Sequence, residues 1–323
     1  MVRTAYHLSN MVGGLDRRRF VPLLVLGAAC GETQRVDTPA APVVAVIDPG
    51  AAPRQRIRYA FAPGTTERVT LDVKLRSKMQ FTNTVLQDGE TNTDLPTMHL
   101  VTRFDVLAVD ANGARIGSEI EDARVLEDVI DPRLRRGSEL EVAKLRGLRE
   151  TWHVSPTGHI SDRVTGTPTA QQDPVPTAAS LAQARLLGAP IEFPDVELGV
   201  GATWRVTSHS LIGKAHFDDV LTYRVKAIDG DTVSVRIELA STARDQALST
   251  EPNASTRLTS GHVHAEVDAI VSLHGLVSVG GQHSAADLTL LAVRQHLRLT
   301  STLTFEMSFA IQQVASSAPG VTP

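Results

Sequence analysis

The sequence predicts a mainly β protein: one antiparallel curved sheet, two such sheets or a half-barrel, with one or two short helices. Two observations predict this class. Apolar and polar residues alternate along several segments, as they do in strands with one buried and one exposed face. Short stretches containing Gly or Pro separate those segments. Aromatic residues make up only 4% of the chain, so the core is expected to consist of Val, Leu, Ile and Ala.

The predicted strands are the segments in which this alternation is clearest. Residues 69–75, for example, place Val or Leu at every second position between Thr, Asp and Lys. Turns are predicted at Asn112-Gly113, Pro156-Thr157-Gly158 and Asp229-Gly230-Asp231. The strands are expected over residues 56–61, 69–75, 99–109, 114–125, 149–155, 159–164, 204–211, 219–228, 232–242, 262–273 and 291–309.

Residues 291–309 form the longest alternating segment, and its apolar residues from Leu291 to Phe309 share one parity. A single strand of this length would extend about 60 Å, so we expect a bend or a hairpin within it. Two polar stretches are predicted to be irregular: residues 82–96 as a loop or hairpin end, and residues 243–260 as a loop.

Two helices are predicted. Residues 131–148 carry Ser138 and Glu141 at the spacing of a capping box, and Leu140 lies on the apolar side of that helix. A shorter helix is expected over residues 177–187, where Gly188 ends it.

A faint internal similarity suggests two related β lobes. Residues 103–110 resemble residues 222–229, and the two Thr-Trp-x-Val segments at residues 151–154 and 203–206 resemble each other. The alternative is that amphipathic strands resemble one another by chance. With two lobes, the chain divides into residues 56–165 and residues 191–312, joined by a linker with a short helix at residues 166–190.

The amino-terminal region has the order of a secretory signal. A basic patch at residues 17–19 precedes an apolar run of about 10 residues, which is half of the roughly 20 that a membrane-spanning helix needs. Cys30, the one cysteine of the chain, follows directly. This order resembles a bacterial lipoprotein signal peptide, although Leu26 lies one position further from the cysteine than the usual pattern has it. The resemblance implies a signal peptide at residues 1–30 and acylation of Cys30 with palmitate-type chains; the alternative is a free cysteine in an ordinary signal.

Residues 31–55 are rich in Pro, Ala and Gly and are predicted to be a flexible tether. Within them, Val43–Ile47 is either part of the tether or a short edge strand. Residues 313–323 are predicted to be a disordered tail. Gly31, which follows the cysteine, favours the outer membrane facing the periplasm over the inner membrane. Export through the general or the twin-arginine route, and a start at Met1 or Met11, are left open.

Composition and motifs exclude several classes. The net charge of −4 gives no electrostatic footprint for nucleic acid. The nucleophile elbow, the P-loop, the dinucleotide fingerprint and the zinc-protease helix motif are absent. We therefore expect no enzyme activity and no cofactor.

Two sets of residues are weighed as sites. His262 and His264, with Glu266 and Asp268, form a row on one strand face, and about 7 Å between neighbours in this row allows two of them to share a metal ion. The alternative is a solvated polar face. Trp152 and Trp204 line a ligand pocket or belong to the core.

The whole pattern resembles uncharacterised bacterial lipoproteins of the domain-of-unknown-function type. It is also loosely similar to the half-barrel folds of periplasmic lipoprotein carriers, which bind acyl chains on an apolar concave face. The resemblance implies a membrane-anchored binding or scaffolding module for an apolar ligand or an envelope protein. The alternatives are a purely structural envelope protein and a metal-dependent hydrolase.

Overall fold

A computed structural model of the chain describes residues 42–83, 88–126, 131–166, 190–212, 215–251, 254–294 and 297–314, all within one compact unit. These residues form sixteen strands and one helix. The strands are β1 (Val43–Asp48), β2 (Gln55–Arg56), β3 (Thr66–Asn83), β4 (Gly89–Asp94), β5 (Met98–Asp110), β6 (Gly113–Val125), β7 (Arg149–Val154), β8 (Ile160–Gly166), β9 (Glu197–Leu198), β10 (Thr203–Ile212), β11 (Ala215–Asp229), β12 (Thr232–Ala243), β13 (Gln246–Glu251), β14 (Ala254–Ser272), β15 (Val279–Arg294) and β16 (Leu297–Gln313), and the helix is α1 (Pro132–Ala143).

Fourteen strands belong to one antiparallel sheet that is not closed, which confirms the predicted mainly β class. Strands β2 and β9 pair separately. The strands of both predicted lobes lie in the large sheet, where β16 pairs with β3 at the junction. The order across the sheet is β1-β10-β11-β12-β14-β15-β16-β3-β5-β6-β7-β8, with β13 on β14 and β4 on β3.

The middle of the sheet is nearly symmetric about the β15–β16 hairpin. On one side, β3 pairs with β4 along one part of its length and with β5 along another. On the other side, β14 pairs with β13 and then with β12 in the same manner. Each of the two long strands, β3 and β14, therefore pairs with two successive shorter strands. The breaks between these shorter strands lie at Leu95–Thr97 and Arg244–Asp245.

The prediction of a loop at residues 243–260 is wrong, because β13 and the first residues of β14 form a hairpin there. Alternation is lost in this hairpin since several polar residues follow one another. The predicted strand at residues 56–61 is also wrong. Apart from Arg56 in β2, this segment is extended but does not join a ladder, and its apolar side chains pack onto the core instead.

The long alternation at residues 291–309 is broken by the expected hairpin. Arg294 pairs with Leu297, and Val293 pairs with Arg298. Because paired residues project to the same face, the step from Arg294 to Leu297 reverses the parity. Leu291 therefore lies on the opposite face from Leu303, although the two share a parity in the sequence.

Helix α1 begins earlier than its predicted capping box. Asp131 is the N-cap, and its carboxylate accepts a hydrogen bond from the backbone N–H of Arg133 at 2.8 Å. Pro132 occupies the first turn, where its missing N–H costs nothing. Ser138 and Glu141 consequently lie inside the helix. The expected apolar side is wrong as well, since Leu140 is exposed and Val142 is the buried residue.

Residues 43–48, which overlap the segment predicted as tether or edge strand, form β1 and pair with β10. The predicted helix at residues 177–187 and most of the predicted tail, residues 315–323, lie outside the described residues. The first two residues of that predicted tail are ordered: Gln313 ends β16 and pairs with Val69, and the backbone N–H of Val314 donates to the carbonyl of Arg68 at 2.8 Å.

Two extended segments connect the β7–β8 turn to β10. The backbone N–H of Tyr59 donates to the carbonyl of Pro156 at 2.8 Å, and that of Phe193 donates to the carbonyl of Thr157 at 2.7 Å. The Tyr59 hydroxyl in turn accepts a hydrogen bond from the backbone N–H of Ile191 at 2.8 Å. Residues 57–61 and 190–193 are thereby held against each other and against the end of the sheet.

An aromatic ladder forms the centre of this packing. Its rings lie 5.0–5.8 Å apart between centroids, and the end pairs are stacked at interplanar angles of 4° and 6°. In order, the ladder consists of Phe61, Tyr59, Phe193, Trp204 and Tyr223.

The burial of two tyrosines in the aromatic ladder predicts that the protein unfolds cooperatively at alkaline pH. Burial raises the pKa of the Tyr59 and Tyr223 phenols far above the usual value of 10.0, whereas in the unfolded chain both ionise near that value. Stability is thus fully present below pH 10.0 and is lost as the pH rises further. We expect tyrosinate absorbance from these two residues to appear only together with the loss of circular dichroism. Gradual ionisation in a folded protein would contradict the burial.

Candidate functional site

Cys30, the predicted lipidation residue, lies outside the described residues. The candidate sites that the structure describes therefore all belong to the body of the protein.

His262 and His264 lie on the exposed face of β14, as the predicted alternation requires. Val263 and Ala265, which alternate with the two histidines along the strand, are buried. The acidic neighbour of His264 is Glu266, whose carboxylate lies 3.6 Å from Nε2. The row therefore exists as one face of a strand.

Arg236 on β12 occupies the acidic half of this row. Its guanidinium donates to Glu266 and, at 3.3 Å, to Asp268, and it lies 3.8 Å from Glu238. A metal ion at Glu266 and Asp268 would have to displace this cation. Within the described ranges, no group of three or more His, Cys, Asp or Glu side chains is arranged to hold a metal ion.

Trp204 and Trp152 are both core residues. Trp204 is 0% exposed, stacks on Tyr223 and donates from Nε1 to the carbonyl of Glu192 at 2.9 Å. Trp152 is 5% exposed and packs edge-on against Phe104 with 6.2 Å between ring centroids. The Arg163 guanidinium lies 5.5 Å from the Trp152 ring centroid, but the indole N–H of Trp152 has no hydrogen-bond partner.

The inner face of the central strands changes along its length. Near the aromatic ladder, Met307, Phe309 and Ile311 of β16 are buried in the main core. Towards the β15–β16 hairpin, Phe305 and Leu299 of the same strand are only half-buried. Leu303, which lies between these two residues on the same face, is buried at 3% exposed. This face of β16 is therefore closed core near Phe309 and partly open around Leu303.

Cross-strand register extends this surface to the neighbouring strands. Leu303 of β16 pairs with Leu288 of β15 and Met79 of β3, so their side chains form one apolar row. Ser301 pairs in the next row with Leu290 and Phe81. We call the half-buried apolar members of these rows and their neighbours the apolar strip: Met79, Phe81, Leu288, Leu290, Leu299 and Phe305.

A groove lies on the opposite face of the sheet from the apolar strip, at the end of the strands that is distant from the β15–β16 hairpin. It has a volume of about 380 Å³ and lies beside Ile270, which is half exposed. Gly280 lines the groove without a side chain. The lining is mostly apolar, and Lys226 and Asp268 contribute one charge of each sign to it.

Sequence reasoning reached part of this arrangement. The alternation at residues 291–309 contained Leu299 and Phe305, but Met79 and Phe81 join them only through the β16–β3 pairing, which links distant parts of the chain. The groove beside Ile270 depends on five strands and leaves no signal within any one of them.

No protein-family model and no curated protein matches the chain. Among the described residues, no helix is long and apolar enough to span a membrane.

Proposed function

We propose that this protein is a lipid-anchored, non-enzymatic lipoprotein of the bacterial envelope, whose β body binds an apolar ligand or a protein partner. Cys30 carries the acyl chains, and the body faces the periplasm, at the outer membrane rather than the inner one. The observation that supports the binding role is the apolar strip, where large apolar side chains on three adjacent strands stay half-buried.

The anchor follows from simple energetics. Each buried CH₂ group contributes about 0.8 kcal/mol, so two or three acyl chains hold a protein on a membrane far more firmly than one. Residues 31–42 between Cys30 and β1 span at most about 40 Å. The start of β1, and with it the β body, is thereby kept within about 40 Å of the membrane surface.

The anchor is tested by replacing Cys30 with Ser in the full chain. We expect the variant to move from the membrane fraction to the soluble fraction after cell lysis, because the acylated sulfur is lost. Alkaline carbonate washing separates anchored from loosely attached protein. Continued membrane association of the variant would contradict the anchor.

The ligand is tested by native mass spectrometry of the purified Cys30→Ser protein. We expect added mass that disappears on denaturation. Phe305→Glu places a charge in the apolar strip and should abolish the added mass, while Ile270→Glu, on the outer face, should retain it. Circular dichroism must show that both variants are folded. Equal loss from both would place the ligand elsewhere. A bare mass in every sample would leave a protein partner or a purely structural role.

The second candidate is a purely structural role. The burial of Met307, Phe309 and Ile311 favours it, because that half of the inner face is packed. It predicts that Phe305→Glu changes stability without changing any binding.

A further inference from the structure

We propose that two copies of this chain pair through β1 while they are anchored in the same membrane. The inference rests on the proposed lipid anchor. Strand β1 is one end of the large sheet and pairs with β10 along one side alone, within the part of the chain that the structure describes. Its other side therefore presents backbone N–H and C=O groups for a further strand.

The side chains of β1 are unusual for an edge. Val43 is 63% exposed, Ile47 is 56% exposed and Val46 is 39% exposed. Exposed edges are normally protected by charge, by short length or by bulges. Strand β8 at the opposite end of the sheet carries Asp162 and Arg163, whereas β1 has only a register shift between Val46 and Asp48, beyond the positions at which Val44, Ala45 and Val46 pair with β10. The only charged residue of β1 is Asp48, at its last position.

The order of residues in β1 selects a second copy as the partner. Val43-Val44-Ala45-Val46-Ile47 reads nearly the same in both directions about Ala45. In an antiparallel pair centred on Ala45, each Val44 faces Val46 of the other copy and Ala45 faces itself. A two-fold axis produces this arrangement directly, because both copies contribute the same surface.

Charge is compatible with this pairing. Asp48 lies beyond the paired positions. Arg205, which pairs with Ala45 from β10, would face its counterpart across three strand spacings, or about 14 Å. This distance exceeds the screening length of about 8 Å at physiological ionic strength. The two-fold pair therefore opposes no like charges at close range.

Anchoring in a shared membrane compensates for the small area of this interface, because it raises the local concentration of the two copies. A six-residue strand is about 20 Å long, so one strand pair buries well below the roughly 1,200 Å² of a stable complex. Tethering both copies to one surface raises their effective concentration to about the millimolar range. The two β1 amino termini would lie within about 20 Å of each other, a separation that residues 31–42 can bridge to a shared surface. The pair is thus expected on membranes and not in dilute solution.

The test introduces one thiol at the axis. In the full chain with acylated Cys30, Ala45→Cys provides the only free thiol, since the chain has a single natural cysteine. Paired residues in antiparallel strands lie about 4.5–5.5 Å apart between Cα atoms, which suits a disulfide. Under mild oxidation of intact membranes we expect at least tenfold more disulfide-linked homodimer than for Val164→Cys on β8, a position that is exposed as Ala45 is.

A charge exchange tests the register. Ala45→Glu and Ala45→Lys should each prevent pairing, because like charges would face each other at the axis. Co-expressing them, with Val44→Cys in one copy and Val46→Cys in the other, should restore the crosslink. A crosslink to a different protein, or equal crosslinking in the like-charged combination, would overturn the proposal.

Fractionation of the same samples separates this proposal from the anchor. Protein in the membrane fraction without the homodimer disproves β1 pairing and leaves the anchor intact. If the protein is soluble, the anchor is disproved, and pairing is then measured with purified Ala45→Cys protein at millimolar concentration. Absence of the homodimer there overturns β1 pairing as well.

Discussion

Replacing Trp204 with Ala is expected to lower the free energy of unfolding by about 3–5 kcal/mol, in the range of buried aromatic truncations. Trp204 is fully buried, lies between Phe193 and Tyr223 in the aromatic ladder, and donates a hydrogen bond to Glu192. Its loss leaves a cavity at the point where residues 190–193 meet β10. Denaturant unfolding monitored by circular dichroism measures the change.

Substituting phenylalanine at the same position separates the contribution of ring packing from that of the hydrogen bond. Trp204→Phe retains a ring but removes the hydrogen bond, so we expect a loss of about 1–3 kcal/mol. Trp152→Phe removes an indole N–H that is buried without a partner and should change stability much less. Equal losses for the two phenylalanine variants would show that the Glu192 hydrogen bond contributes nothing.

Replacing Gly158 with Ala is also expected to lower the free energy of unfolding strongly. Gly158 has a φ of +90°, and a Cβ there would lie 2.1 Å from the carbonyl oxygen of Ile191 and 2.9 Å from the Tyr59 ring. The left-handed conformation alone costs about 1–2 kcal/mol for a non-glycine residue. The clash adds to this cost because it pushes residues 190–193 away from the β7–β8 turn. We expect destabilisation beyond the conformational cost and a shift of tryptophan fluorescence.

Gly64 provides the matched control. Its φ of +77° is similar, but a Cβ added there would meet no atom within 4 Å beyond its own chain neighbours. Gly64→Ala should therefore show the conformational cost alone and leave the fluorescence unchanged. If both glycine variants behave alike, residues 190–193 are not held tightly against Gly158.

Local patterns predict the strands well because their causes are local. The alternation at residues 262–269 gives the correct exposed and buried faces of β14, and the turn at Pro156-Thr157-Gly158 joins β7 to β8. The predicted start of helix α1 at residue 131 is correct, whereas its predicted capping box and its predicted end at residue 148 are wrong, because the helix ends at Ala143. The Asp131-Pro132 cap lies at the edge of the predicted range, whereas Ser138 and Glu141 have the right spacing in the wrong place.

The remaining features depend on contacts between distant residues. The pairing of Phe81 with Ser301 cannot be inferred from either strand alone, and it is needed to assemble the apolar strip. The neutralisation of Glu266 by Arg236 likewise depends on the register of β12 against β14. Periodicity identifies the face of a strand, whereas only pairing identifies what lies beside it.

The junction between β3 and β16 also governs when the fold can be completed. Val69 near the start of the body pairs with Gln313 near its end, so the centre of the sheet depends on contacts of very long sequence separation. Such contacts form slowly, and until they form both flanks of the sheet display unsatisfied edges. A chain that is synthesised or exported starting from its amino terminus cannot complete this sheet until the seventeen residues of β16, the last strand among the described residues, are available. A stalled or shortened chain ending before residue 297 would thus be a substrate for chaperones and proteases rather than a smaller working protein.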